Sequence, residues 1–271
     1  MKIIISHDVD HLYATDHRLR DLIFPKLIIR SILHWLQGKI KFKTVVFRFL
    51  SIFEKRLNRI DEIMEVDKKY GVPSVFFFGM RQGLGMSYKK EEAISTIKKV
   101  NNEGFGVGVH GISFEDKEEI RKEFEDFKEI VGNEQFGIRT HYVRFTEDTF
   151  MYMAESGYLF DTSQFNKQHL ELKKPYKVKS MWEFPLHIMD GYIIPPGNLE
   201  KGKKNTIKAI ERAEEQGMPY CTILYHDYQY NEKTYPAEKE WYDWLLDYIK
   251  EKGYQCISYK EAIVELEKKN V

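Results

Sequence analysis

Short apolar runs, each followed by a helical stretch, recur about seven times along this chain, and this alternation constrains its fold more than any other feature. The first run, residues 2–7, reads Lys-Ile-Ile-Ile-Ser-His and stops at Asp8, Asp10 and His11. Further strands are expected at 74–78, 105–109, 136–139, 158–160, 220–225 and 254–257. Helical periodicity fills 59–70, 89–103, 115–131, 146–156, 203–216, 236–252 and 259–269. Thr146 supplies an N-cap, and Gly71, Gly104, Gly132, Gly157 and Gly217 stand where helices should stop. Residues 164–200 are less regular, with strands expected at 182–186 and 192–194 before a Pro195-Pro196-Gly197 loop. Such units require parallel strands joined by crossover helices, and strands this short and apolar suit a closed or nearly closed ring. The expected fold class is therefore α/β: an irregular (β/α) barrel of about seven parallel strands, forming one domain with a helical insertion after strand one.

The reactive residues have a common placement. Asp8, Asp10, His110, Arg139, His141, Asp161 and His226 all fall at or just past the C-terminal end of an expected strand. In a β/α barrel these ends converge on one face, so residues more than 200 positions apart become neighbours. Burying two acids at the end of an Ile-Ile-Ile strand is costly unless they meet a cation or do chemistry.

The insertion spans about residues 12–59. Between positions 18 and 59 it carries eleven basic side chains, Arg18 and Arg20 among them, against Asp21 and Glu54, a net of +9. Leu22, Ile29, Leu33, Trp35, Phe47, Phe49 and Phe53 lie among the charges. The pattern reads as two or three basic amphipathic helices broken near Pro25 and Gly38, either packed with solvated cations or forming a patch for an anionic membrane surface or an acidic partner. The whole chain balances 42 basic against 42 acidic residues, which argues against a nucleic-acid partner. Its two cysteines, Cys221 and Cys256, sit in strand-like runs and read as buried free thiols. With no leader pattern and no apolar run of membrane-spanning length, the expected location is cytoplasmic.

Carboxylates and imidazoles together form an ordinary ligand set for a zinc-like divalent ion. Of two carboxylates, one can bind the ion while the other takes a proton from water. An Arg beside the free carboxylate keeps it ionised, a His on the far side can protonate a leaving group, and an Asp bonded to that His sets its tautomer. These roles suit hydrolysis of an amide or ester. Gly104, Gly106 and Gly108 lie inside a strand and open no helix, so they form no phosphate loop, and there is no serine nucleophile elbow.

These segments resemble the motifs of the polysaccharide deacetylase superfamily, the carbohydrate esterases with a NodB-type domain. Ser6-His7-Asp8-Val9-Asp10 resembles its first motif, which implies Asp8 as base and Asp10 as metal ligand. His110-Gly111-Ile112-Ser113-Phe114 matches its His-x-x-x-His motif only at His110. Arg139-Thr140-His141-Tyr142 resembles the loop whose Arg steadies the base, and Phe160-Asp161-Thr162-Ser163 resembles the fourth motif. Leu224-Tyr225-His226 matches Leu-x-His, which implies His226 as general acid and Leu224 as a wall for the acetyl methyl. The likeness runs from about residue 2 to 258, apart from the insertion. It implies a barrel that removes N- or O-acetyl groups from a sugar or oligosaccharide, in branches without a leader for surface polysaccharides.

Phe114 cannot replace the second His of that motif, and a divalent ion needs about three protein ligands. Strand alternation turns His7 away from Asp8's side. His141 approaches from another strand end and is the expected third ligand, ahead of His11. Tyr142, Phe145, Trp182, Tyr225 and Tyr228 are the aromatics expected near the mouth, two of them on the sugar ring. Rival readings are a non-catalytic carbohydrate-binding relic and a hydrolase of a non-sugar amide.

Overall fold

The computed structural model describes residues 1–17, 22–165 and 172–269. Arg18, Arg20 and Asp21, counted in the insertion's charge, lie outside the described residues. Every residue of β1 (Lys2–Val9) after Lys2 is buried, as an apolar strand covered on both faces must be. The insertion follows as α1 (Ile23–Leu36) and α2 (Phe42–Leu50), and α3 (Ile60–Tyr70) leads to β2 (Val75–Phe78). Next come α4 (Lys90–Asn102), β3 (Gly106–Gly111), α5 (Lys117–Val131), β4 (Ile138–Thr140), α6 (Glu147–Ser156) and β5 (Phe160–Asp161). A less regular stretch contains β6 (Tyr176–Val178), β7 (Met181–Glu183), β8 (Ile188–Met189) and α7 (Asp190–Ile193). The chain closes with α8 (Leu199–Glu215), β9 (Tyr220–His226), α9 (Pro236–Glu251) and α10 (Tyr259–Lys269).

The strands form one curled sheet in the order β6-β7-β5-β4-β3-β2-β1-β9-β8. All neighbours are parallel except β6 and β7, which form an antiparallel pair. Strand β1 lies third from the β8 edge, between β2 and β9, with Asp8 in register with Phe77 on one side and His226 on the other. Period-two alternation divides its side chains between two cores. Ile3, Ile5 and Val9 join the layer between sheet and helices. Ile4 joins a concave inner core of Val75, Phe77, Phe160, Trp182, Phe184, Tyr220 and Tyr259, packed against α10 through Ala262. The inner core is a floor beneath the strand ends, and Ser6 and Asp8 stand on its side of β1.

Four expectations are corrected. The sheet has nine strands among the described residues and stays open, rather than closing as a barrel of seven parallel strands. Strands β5 to β8 are only two or three residues long, and β6 folds back on β7, so β6 and β8 remain edges. Residues 190–193 are a helical turn, not part of a strand over 192–194. Residues 254–257 supply a single bridge, Cys256 to Ile3, in place of a strand. Pro25 does not interrupt the insertion, because it falls in the first turn of α1, where a missing N–H breaks no helical bond. Gly38 does: its φ of 68° turns the chain between α1 and α2.

Candidate metal and catalytic site

Arg139 is the most heavily bonded side chain at the strand ends. It is fully buried, and its Nη1 donates to Asp8 Oδ1 at 2.7 Å. Nη2 donates to Ser6 Oγ at 2.7 Å, Nε donates to the Thr162 carbonyl at 3.2 Å, and the guanidinium lies over the Phe77 ring. Burial pushes the Asp8 carboxyl up, but Arg139, then His110 and His226, pull it below the usual carboxylate range. Asp8 is thus held ionised and oriented with little freedom to move.

Asp10 lies just past β1, two residues beyond Asp8 and so on the same side. Its Oδ1 is 3.2 Å from His110 Nε2 and 3.4 Å from His141 Nδ1, and those two nitrogens are 3.0 Å apart. Each imidazole is tied at its far nitrogen to a carbonyl oxygen: His110 Nδ1 to Arg139 at 3.0 Å, and His141 Nε2 to Leu84 at 3.2 Å. A neutral ring that donates at its far nitrogen presents a lone pair at the near one. Two lone pairs and a buried carboxylate oxygen with no hydrogen bond then face one small space. That arrangement repels itself unless a cation or a shared proton lies between the donors. Asp10, His110 and His141 are the one such grouping among the described residues, their donor atoms within 4.8 Å of one another. The donor set of one carboxylate and two imidazoles, each oriented by a carbonyl behind it, fits a zinc-like ion.

His226 closes the opposite side. Its Nε2 is 3.8 Å from Asp10 Oδ2, and its Nδ1 bonds Asp190 Oδ1 at 2.7 Å. The other oxygen of Asp190 accepts the His226 backbone N–H at 2.7 Å. Burial lowers the affinity of this imidazole for a proton, but Asp190, with Asp10 and Asp8 behind it, outweighs burial and raises its pKa to about 10. Leu224, two residues earlier on β9, is buried with Val143, Leu186 and Met189 beside it.

Asp8, Asp10, His110, Arg139, His141 and His226 therefore meet at one place. His7 points to the other face of β1 and bonds Asp67 Oδ2 and the Tyr225 carbonyl, each at 3.1 Å. His11 stands on the cavity wall against His17 and Tyr228, outside the donor group. The carboxylate on His226 is that of Asp190, not Asp161. Asp161 accepts Ser163 Oγ at 2.6 Å and lies in register with Glu183, whose carboxyl burial and the neighbouring Asp161 hold well above its ordinary range. Asp161 thus belongs to a proton-sharing pair that braces β5 against β7. Trp182 is corrected too: it is buried in the inner core, with its indole N–H donating to Glu267 at 2.7 Å. Asp190 escapes the strand-end reading of the sequence because β8 has two residues, although His187-Ile188-Met189-Asp190 repeats in miniature the pattern that ends at Asp8.

Of these groups, Asp10, His141 and His226 line a cavity of about 580 Å³ together with Tyr142 and Tyr228, and Asp8, His110 and Arg139 are buried behind them. Tyr142 is exposed and lies tilted on the His141 ring at 4.1 Å, with a φ of 63° and its hydroxyl donating to the Leu84 carbonyl. Phe145 lines a second cavity, and Tyr225 is core, stacked on Tyr242 at 4.4 Å. The insertion walls this cavity with Phe24, Lys26, Leu27 and Arg30 of α1 and is clamped beside it by Arg48, which donates to the Thr234 carbonyl at 2.8 Å.

No family model matches the chain, and no curated protein matches it significantly. Among solved structures, a protein of Mycobacterium smegmatis provisionally named a polysaccharide deacetylase is 15% identical with a TM-score of 0.62, the match covering 99% of this chain and 91% of that one. A 4-alpha-glucanotransferase of Thermococcus litoralis is 14% identical with a TM-score of 0.53, over 97% of this chain and 38% of that one. A Bordetella bronchiseptica protein provisionally named a polysaccharide deacetylase of O-antigen biosynthesis is 10% identical over 88% of this chain and 78% of its own, and its TM-score of 0.44 carries no weight. At these identities the likeness is one of architecture, and the chain has a polysaccharide deacetylase-like fold.

Proposed function

We propose that this chain is a metal-dependent hydrolase that removes an N- or O-acetyl group from a sugar or oligosaccharide. One observation carries the reading. An Arg-fixed carboxylate, an Asp-His-His donor group and an Asp-backed imidazole meet at the floor of one cavity, which is the set of parts that acyl hydrolysis needs. The Mycobacterium structure of the same fold carries the matching provisional name.

Asp10, His110 and His141 would hold the divalent ion, zinc by the softness of its donors. When bound, that ion supplies Lewis acidity, polarising an acyl carbonyl and making water more acidic. Asp8, kept ionised by Arg139, takes the proton from the attacking water. His226, charged through Asp190, donates a proton to the departing sugar nitrogen or oxygen, which prevents expulsion of a strongly basic anion. Leu224 packs beside this acid and bounds the space for a methyl group. Tyr142 and Tyr228 offer ring faces at the cavity wall for a pyranose.

The test is acetate release from a panel of acetylated saccharides by zinc-loaded protein. Asp8→Asn and His226→Ala should each lower kcat by about 10²–10⁴ while the protein stays folded. His141→Ala should lose stoichiometric zinc, read by elemental analysis, whereas His11→Ala should keep it. Full activity in either catalytic variant would sink the assignment.

A further inference from the structure

Helices α1 and α2 leave one side uncovered. On α1, Ile29, Ile32, Leu33 and Leu36 follow helical spacing, and all are exposed, Leu36 by 68%. On α2, Phe42, Val46, Phe49 and Leu50 do the same, and Phe53 extends the stripe just beyond, 66% exposed. Trp35 and Phe42 join the two stripes with their rings 5.1 Å apart. Eleven of the seventeen large apolar side chains exposed among the described residues fall between Leu22 and Phe53. A face this apolar is seldom left to water, so something covers it.

Its charge indicates what. Residues 22–59 carry nine Lys and Arg against a single acid, Glu54. Among the described residues, Lys26, Arg30, Lys39, Lys41, Lys43 and Lys55 form no ion pair. A second copy of the chain would bring the same excess of positive charge against this one, and the two would repel. An anionic bilayer surface offers the opposite charge at the headgroups and an apolar layer just below them. No described helix is long and apolar enough to cross a membrane, and α1 and α2 have 14 and 9 residues, so the fit is to a hairpin lying in the interface. Arg48 braces the hairpin from behind, stacked on Tyr235 at 4.6 Å, so its bare side does not need to fold inward.

We infer that the α1–α2 hairpin docks this protein on an anionic lipid surface. Lys26 and Arg30, which wall the cavity, are exposed and lie three residues before Ile29 and Leu33 on α1, so docking brings that wall to the headgroup layer. The inference stands on the exposed face and does not require the proposed hydrolysis. It is tested by co-sedimentation of the full chain with vesicles of phosphatidylglycerol and phosphatidylcholine, beside vesicles of phosphatidylcholine alone. Binding should need phosphatidylglycerol and weaken with salt. The double variant Ile29→Glu with Leu33→Glu changes two exposed residues, so circular dichroism and Tm should not move, while vesicle affinity should fall by roughly 100-fold or more. Triple reversal of Lys39, Lys41 and Lys43 to Glu should abolish the preference for phosphatidylglycerol. Absent binding to the anionic vesicles, or equal binding to both vesicle types, overturns the proposal. So does a concentration-dependent dimer that Ile29→Glu with Leu33→Glu dissolves, because a second copy then covers the face.

Discussion

Replacing Arg139 by Met removes a positive charge from a fully buried ion pair while keeping an unbranched chain of similar length. The loss can be worked from the contacts. Asp8 remains buried with its strongest partner gone, and Ser6 Oγ and the Thr162 carbonyl each lose a donated bond. Breaking a buried pair from one side typically costs about 3–5 kcal/mol, because the remaining charge is uncompensated. The pH dependence identifies the mechanism. In the native protein Asp8 is held below its ordinary range, so its contribution is present at neutral pH and fades as pH falls through its folded pKa. In Arg139→Met, burial, the largest influence on Asp8, acts with less to oppose it, and the variant takes up a proton on folding. The stability gap between the two proteins should therefore be widest near pH 7 and narrow as pH drops towards about 4, where the unfolded Asp protonates. Urea denaturation across that range measures it. Adding Asp8→Asn to Arg139→Met should recover part of the loss at pH 7, as expected of coupled neighbours. A gap independent of pH, together with no recovery in the double variant, would refute the charge argument and leave only packing.

Asp190→Asn should lower the His226 pKa by about 1–2 units, the equivalent of losing a charge-assisted bond of roughly 1.5–3 kcal/mol, and shift the alkaline limb of the pH–rate profile down equally; an unmoved limb would deny Asp190 its role. Glu123 is buried under β3, accepts the Ile112 N–H at 3.0 Å, and has its pKa raised by burial to about 7. A raised carboxyl contributes stability below its unfolded pKa and loses it as pH rises through about 7, so Glu123→Gln should gain roughly 1–3 kcal/mol at pH 8 and nothing at pH 5 by urea denaturation. Trp182→Phe should lower Tm, because the bond to Glu267 and core volume are lost, yet leave KM for a cleaved saccharide unchanged.

The candidate site was legible where its residues are local to a strand. Asp8 and Asp10 share a side because alternation has period two, and His7 is turned to Asp67 for the same reason. His110, Arg139 and His226 each end a run whose apolar pattern marks it as a strand. The same logic does not reach Asp190, whose strand of two residues is shorter than any periodicity can register. It also misassigns Trp182, since an aromatic's position along the chain does not reveal whether its ring lies above or below the floor of the sheet. Closure of the sheet is likewise a property of edge strands, and β6 reverses direction through a turn at Lys179, whose φ of 53° no pattern of residue types announced.

The insertion leaves β1 just beyond Asp10 and rejoins at α3, where Asp227 Oδ2 accepts the Arg59 N–H at 3.0 Å. Both of its junctions are thus fixed at the rim, while Asp8 and Arg139 beneath it are placed by strands β1 and β4. Lengthening or replacing this segment should change what the cavity admits and leave the Asp8–Arg139 pair in place, since neither residue belongs to it. A one-residue slip within β1 would instead exchange Asp8 for His7 and dismantle the base. The chain is consequently modular in one direction only: its ceiling is a unit inserted between β1 and α3, and its floor is tied to strand register.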